Sequence, residues 1–147
     1  MKFSQADPGR IYIIRLEHGD ILHECIERLV QKENVKAASL SFVGGVDKGS
    51  VLIIGPEDRE ASPVIPMELT LEDAYEATGT GTLFPNEKGE PVLHMHLACG
   101  REKQTITGCV RKGVKIWHVG ELVLRELTNS TAIRKLDKTT GFALMEP

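Results

Sequence analysis

His94 and His96 stand two residues apart in the apolar alternating run Pro91-Val92-Leu93-His94-Met95-His96-Leu97. Successive side chains of a β-strand point to opposite faces, so this spacing puts both imidazoles on one face, where they can share a metal ion. A second run, Gln104-Thr105-Ile106-Thr107-Gly108-Cys109-Val110, follows the polar segment Gly100-Arg101-Glu102-Lys103, which has the composition of a hairpin turn. A turn centred on Arg101-Glu102 sets Cys109 opposite His94 and Thr107 opposite His96, with facing Cβ atoms about 4.5–5.5 Å apart. The candidate metal ligands are therefore His94, His96 and Cys109. Two nitrogens and a sulfur suit zinc, and a set of three leaves a fourth position for water or a ligand.

The same residue types have plainer uses. A His-X-His pair can form a half-exposed polar strand face, and a lone cysteine packs as a small hydrophobe. A cupin-like set of His94, His96, Glu102 and His118 fits poorly, because Glu102 falls in the predicted turn and no Pro-X-Gly precedes His118. A small-molecule enzyme of hydrolase type would need Glu76 or Glu102 as general base beside metal-bound water. Neither is tied to the histidines by spacing, and Glu76 reads more simply as a strand-edge carboxylate. Trp117 and His118 lie on a core-like strand where packing is the default use.

Composition bounds the rest. A chain of 147 residues, 41% hydrophobic and 27% charged, has the size and make-up of one globular domain spanning residues 1–147. No run approaches the roughly 20 apolar residues of a membrane span. The opening Met1-Lys2-Phe3-Ser4-Gln5-Ala6-Asp7 lacks the apolar stretch of a signal peptide, which makes a cytoplasmic protein the expectation. Cys25, Cys99 and Cys109 are an odd number without framework spacing, so reduced thiols are expected rather than a disulfide scaffold. The net charge of −3 argues against DNA binding by the lone chain, since phosphate contacts need clustered Lys and Arg. The densest basic stretch, Arg111-Lys112-Gly113-Val114-Lys115, reads as a solvated turn.

The elements that must position the candidate ligands are mostly strands. Arg10–Leu16, Lys36–Val43, Ser50–Gly55, Met67–Leu71 and Tyr75–Phe84 are strand-like, the two-histidine strand and its hairpin partner follow, and Val114–Leu127 reads as a long buried strand. Glu57–Pro66 is a polar, proline-marked loop and Pro85–Gly89 a turn. One amphipathic helix stands out, with Ile21, Leu22, Cys25, Ile26, Leu29 and Val30 at helical spacing and Asp20 as N-cap. Cys25 lies on its apolar stripe and is expected to pack. The segment Thr131–Pro147 should dock as a short strand. This order predicts an α+β fold, an antiparallel or mixed sheet system with one main helix packed on it.

His18-Gly19-Asp20-Ile21, Ala38 through Val46, Glu76 through Thr82 and Pro91 through His96, taken in order, resemble the PPC family, the plant and prokaryote conserved domain. The likeness spans nearly the whole chain. It implies a stand-alone α+β domain that assembles into a homotrimer, some members carrying zinc on the His-X-His pair with a later Gly-His histidine. Here that later position reads Gly108-Cys109-Val110, so the resemblance and the strand register converge on one ligand set. Association with DNA comes by family analogy only, through separate AT-hook segments of plant members that have no counterpart in these residues. Self-association is implied as well, with Leu83-Phe84 and the apolar final strand as candidate buried surfaces. A small-molecule ligand is compatible with the open fourth position.

Overall fold

Alternating apolar residues decide which way each strand faces, and nearly every strand of the chain obeys that period. The computed structural model describes residues 1–61, 63–138 and 140–147, so Ser62 of the proline-marked loop and Thr139 of the last segment lie outside the described residues. The strands are β1 (Asp7–Glu17), β2 (Ala38–Val46), β3 (Val51–Pro56), β4 (Pro66–Thr70), β5 (Tyr75–Pro85), β6 (Pro91–Arg101), β7 (Gln104–Lys112), β8 (Ile116–Thr128), β9 (Ile133–Leu136) and β10 (Ala143–Glu146), with one helix, α1 (Leu22–Lys32). β1 to β8 form an eight-stranded sheet in the order β1-β8-β2-β5-β6-β7-β3-β4, and β9 and β10 pair separately. All these pairings are antiparallel. The fold is α+β, and the expected choice between antiparallel and mixed resolves to antiparallel. Among the described residues no helix is long and apolar enough to cross a membrane.

The inner face of the sheet carries Leu40, Phe42, Met95, Leu97, Cys99, Val110, Leu122 and Leu124, all buried together with Leu22, Ile26 and Val30 of α1. Helical spacing thus places one stripe of α1 on the sheet. Cys25 packs at the margin of that core, and its Sγ also lies 3.0 Å from Nη2 of Arg28. Leu83 and Phe84, expected as a surface between copies, are buried within the single chain, as are Leu122 and Leu124 of the final strand.

Asp20 does not cap the helix. The cap position is Ile21, without a side-chain hydrogen bond, while the Asp20 carboxylate accepts from the Glu17 amide at 2.9 Å. Leu22 N–H donates instead to the Val114 carbonyl at 2.9 Å, and Ile21 forms a β-bridge with Lys115. A neighbouring backbone thereby satisfies a donor that a cap would otherwise take. The last segment folds as a hairpin of two strands rather than one, closed where Asp137 N–H donates to Phe142.

Two glycines let β5 lie close beside β6. Gly79 pairs with Leu97 and Gly81 with Met95, and a Cβ at Gly79 would stand 2.5 Å from the His96 carbonyl oxygen. Gly79→Val should therefore lower stability by about 1–3 kcal/mol through overpacking, read as a lower urea midpoint; an unchanged midpoint would show that β6 yields freely.

At the opposite side of the sheet, Arg10 forks onto Glu126, with Nε to Oε2 at 2.7 Å and Nη2 to Oε1 at 2.9 Å. Those hydrogen bonds hold the Glu126 carboxyl below the usual glutamate range. A carboxyl whose pKa is lower in the folded than in the unfolded chain adds stability above its unfolded pKa, about 4.3, and loses it as pH falls through the folded value. Glu126→Gln should accordingly lower the Tm at pH 7, with the gap to the unsubstituted chain closing as the pH drops below about 4. A gap independent of pH would contradict this linkage.

Candidate metal centre

β6 presents His94 and His96 outward because Met95 and Leu97, its inward residues, are fully buried beneath them. The predicted strand period holds residue by residue. The turn at Asn86, whose Oδ1 accepts from the amides of Lys88 and Glu90 at 2.9 and 3.0 Å, joins β5 to β6 and aligns Thr80 with His96 and Thr82 with His94.

The β6–β7 register differs from expectation by two residues. Arg101 faces Gln104, so the turn is Glu102-Lys103, with Glu102 at φ 55° in the left-handed region. Cys109 consequently faces His96 rather than His94, and Thr107 faces Ala98 rather than His96. The displacement is an even number of residues, so it changes neighbours but not faces. All three candidate ligands therefore still meet.

His94 Nε2 and His96 Nε2 lie 3.1 Å apart, with ring planes at 77°. The ligand atoms of His94, His96 and Cys109 all lie within 4.8 Å of one another. Tetrahedral ligands held about 2.0–2.3 Å from zinc are separated by roughly 3.3–3.7 Å, so the residues fit such an ion after small side-chain adjustments. Both imidazoles are exposed and Cys109 is 7% exposed, which leaves the sulfur at the floor and an open side toward solvent. Burial, reinforced by Arg134, His96 and Arg111 in that order, holds His94 below the ordinary histidine pKa. That favours the neutral ring a metal requires. Cys99, three pairs along the ladder from His96, points into the core, where burial pushes its thiol up to about 11. It is an inert packing residue.

Other sequence candidates stand apart from this cluster. Glu76 pairs with Gly100, four residues along β6 from His96 or about 13 Å, and Glu102 sits in the turn beyond. Neither supplies the general base of a hydrolase. His118 is at the far end of β8, where its amide donates to His18 Nδ1 at 3.2 Å and its ring meets Trp117, so the cupin-like set is not assembled. The basic stretch is largely neutralised, since Lys112 pairs with Glu68 at 2.8 Å and Lys115 with Asp47 at 2.9 Å.

One neighbour of the cluster escaped the sequence reading. Arg134 on β9, 6% exposed, donates from Nη2 to Thr82 Oγ1 at 3.1 Å, beside His94. Its only sequence signal was a basic residue in a segment expected to dock.

The Plants and Prokaryotes Conserved (PCC) domain matches residues 3–128. A search of curated proteins finds no match. Among solved structures, a metal-containing protein from Archaeoglobus fulgidus is similar at TM-score 0.85 and 22% identity, with all of both chains covered. A plant- and prokaryote-conserved (PPC) protein from Pyrococcus horikoshii is similar at 0.84 and 26%, over 100% of this chain and 98% of that one. A protein of Ralstonia eutropha JMP134, named as a candidate DNA-binding protein, is similar at 0.71 and 19%, over 92% and 90% of the two chains. With the family match covering most of the sequence and the strand order already described, this chain belongs to the Plants and Prokaryotes Conserved domain family.

Proposed function

We propose that this chain is a homotrimeric binding and assembly module that holds a zinc ion on His94, His96 and Cys109. The observation that carries the metal reading is the convergence of two nitrogens and one sulfur within 4.8 Å on the open side of β6 and β7. The metal-containing relative from Archaeoglobus fulgidus agrees with it. Bound there, zinc would supply a positive centre with an exchangeable fourth position. The chain's own part is to hold neutral imidazoles and a sulfur in place on two hydrogen-bonded strands.

Elemental analysis of protein purified without a histidine tag tests this reading. About one zinc per chain is expected, falling in His94→Ala and Cys109→Ser; equal zinc in all three proteins would refute the ligand set.

Self-association is supported by the outer face of β1, β8 and β2, where Ile13 is 80%, Ile11 64%, Val43 54% and Val119 42% exposed. These strands are neighbours in the sheet, so the four residues share one face, interleaved with Arg15, Glu121 and Arg125, that a second copy would cover. Cytoplasmic residence agrees with Cys25, Cys99 and Cys109 all being unpaired. DNA binding is not extended from the Ralstonia relative to this chain, because the net charge is −3 and two cations of its basic stretch are held by carboxylates.

A further inference from the structure

We propose that the open side of the His94–His96–Cys109 centre is an oxyanion site, in which Arg134 and Arg111 hold the carboxylate or phosphate group of a small molecule against the metal. The proposal rests on the metal reading above and goes beyond it by naming the chemistry of the ligand.

Two arginines lie on elements to either side of His94, Arg134 on β9 beyond β5 and Arg111 on β7. On the β5 side, Thr82 pairs with His94 and accepts from Arg134 Nη2 at 3.1 Å. On the β7 side, His96 faces Cys109, so the next outward position, Arg111, continues the register toward His94. β7 is bulged there, since Leu52 pairs with Val110 and Val51 with Lys112, leaving Arg111 unpaired on the β3 side. Bulges of this kind re-aim a side chain beside a binding site.

Among the described residues, neither arginine has a carboxylate partner. Arg134 is 6% exposed, its Nη1 donates to the Ala143 carbonyl at 3.2 Å, and its buried Nε has no hydrogen-bond partner. A buried, unpartnered guanidinium N–H is unusual enough to require an account. Arg111 is exposed and forms no ion pair or hydrogen bond among the described residues.

A divalent cation added between these two guanidinium groups would be offset by a single thiolate, leaving the site strongly positive. An anion in the metal's fourth position restores balance, and the planar guanidinium fork matches the oxygens of a carboxylate or phosphate. Arg134 lies beyond the 3–128 family match, on the C-terminal hairpin of β9 and β10.

Cobalt(II)-loaded full-length protein tests the proposal through its visible spectrum. Inorganic phosphate and succinate are titrated separately at constant ionic strength, and the anion that saturates at lower concentration identifies the group preferred. The expected result is a saturable spectral shift at millimolar anion or below, with Arg111→Gln and Arg134→Gln each needing at least about tenfold more, because each removes a charged donor. Arg111 is exposed, so its variant stays informative if loss of the Arg134 tether loosens the hairpin. A spectrum indifferent to both anions, or variants that titrate like the unsubstituted protein, would overturn the oxyanion site while leaving the metal reading intact. Failure to bind cobalt at all would overturn both.

Discussion

His96→Ala should weaken zinc binding by more than about 100-fold, because removing a mere supporting partner of a ligand already costs 10–100-fold. His96 is the pivot of the set. It lies 3.1 Å from the nitrogen of His94 on its own strand and directly faces Cys109 on the next. Substitution leaves His94 and Cys109 on different strands without the ligand between them. The fold should survive, since His96 is exposed and the buried residues on either side of it, Met95 and Leu97, are unchanged. Competition with a chromophoric chelator gives the affinity, and far-UV circular dichroism checks the fold. Zinc affinity unchanged in a folded His96→Ala protein would mean that the imidazoles are only a polar strand face.

Ile13→Asp should convert the proposed trimer to monomers. Ile13 is 80% exposed at the edge strand β1, pairs with Val123, and lies one row from Val43 across β8 and β2. A carboxylate there would have to be desolvated against an apolar partner, and burying an uncompensated charge in an interface costs several kcal/mol, enough to shift a moderate association equilibrium by two or more powers of ten. Light scattering should give about three times the 16.2 kDa chain mass for the unsubstituted protein and the chain mass for the variant. The unsubstituted protein running at the chain mass would contradict the trimer outright.

The parts of this molecule that were legible in the sequence are those that rest on local periodicity. Met95 and Leu97 alternate with His94 and His96, and Leu22, Ile26 and Val30 recur at helical spacing, so both faces could be assigned without a fold. The meeting of the three candidate ligands was legible for a subtler reason. The turn was misplaced by one residue, but that shifts the pairing by an even step, and the ligands stayed on one face while Cys109 exchanged His94 for His96 as its neighbour.

What stayed hidden depends on distant backbone. Asp20 looks like an N-cap in isolation, yet Val114 and Lys115 arrive alongside and supply the contacts a cap would make. Leu83 and Phe84 looked free to join another copy because nothing local reveals that Ala37, Ala132 and Leu127 cover Phe84 within the chain. Arg134 is separated from His94 by three strand connections, and no spacing rule links them. Only the docking of the C-terminal hairpin over β5 brings its guanidinium to Thr82.

The most direct measurement is a zinc K-edge X-ray absorption spectrum of the protein as purified. The account predicts two nitrogen scatterers at about 2.0–2.1 Å and one sulfur at about 2.3 Å, the sulfur vanishing in Cys109→Ser. A shell of nitrogen and oxygen alone in the unsubstituted protein, or a sulfur that persists in Cys109→Ser, would contradict it.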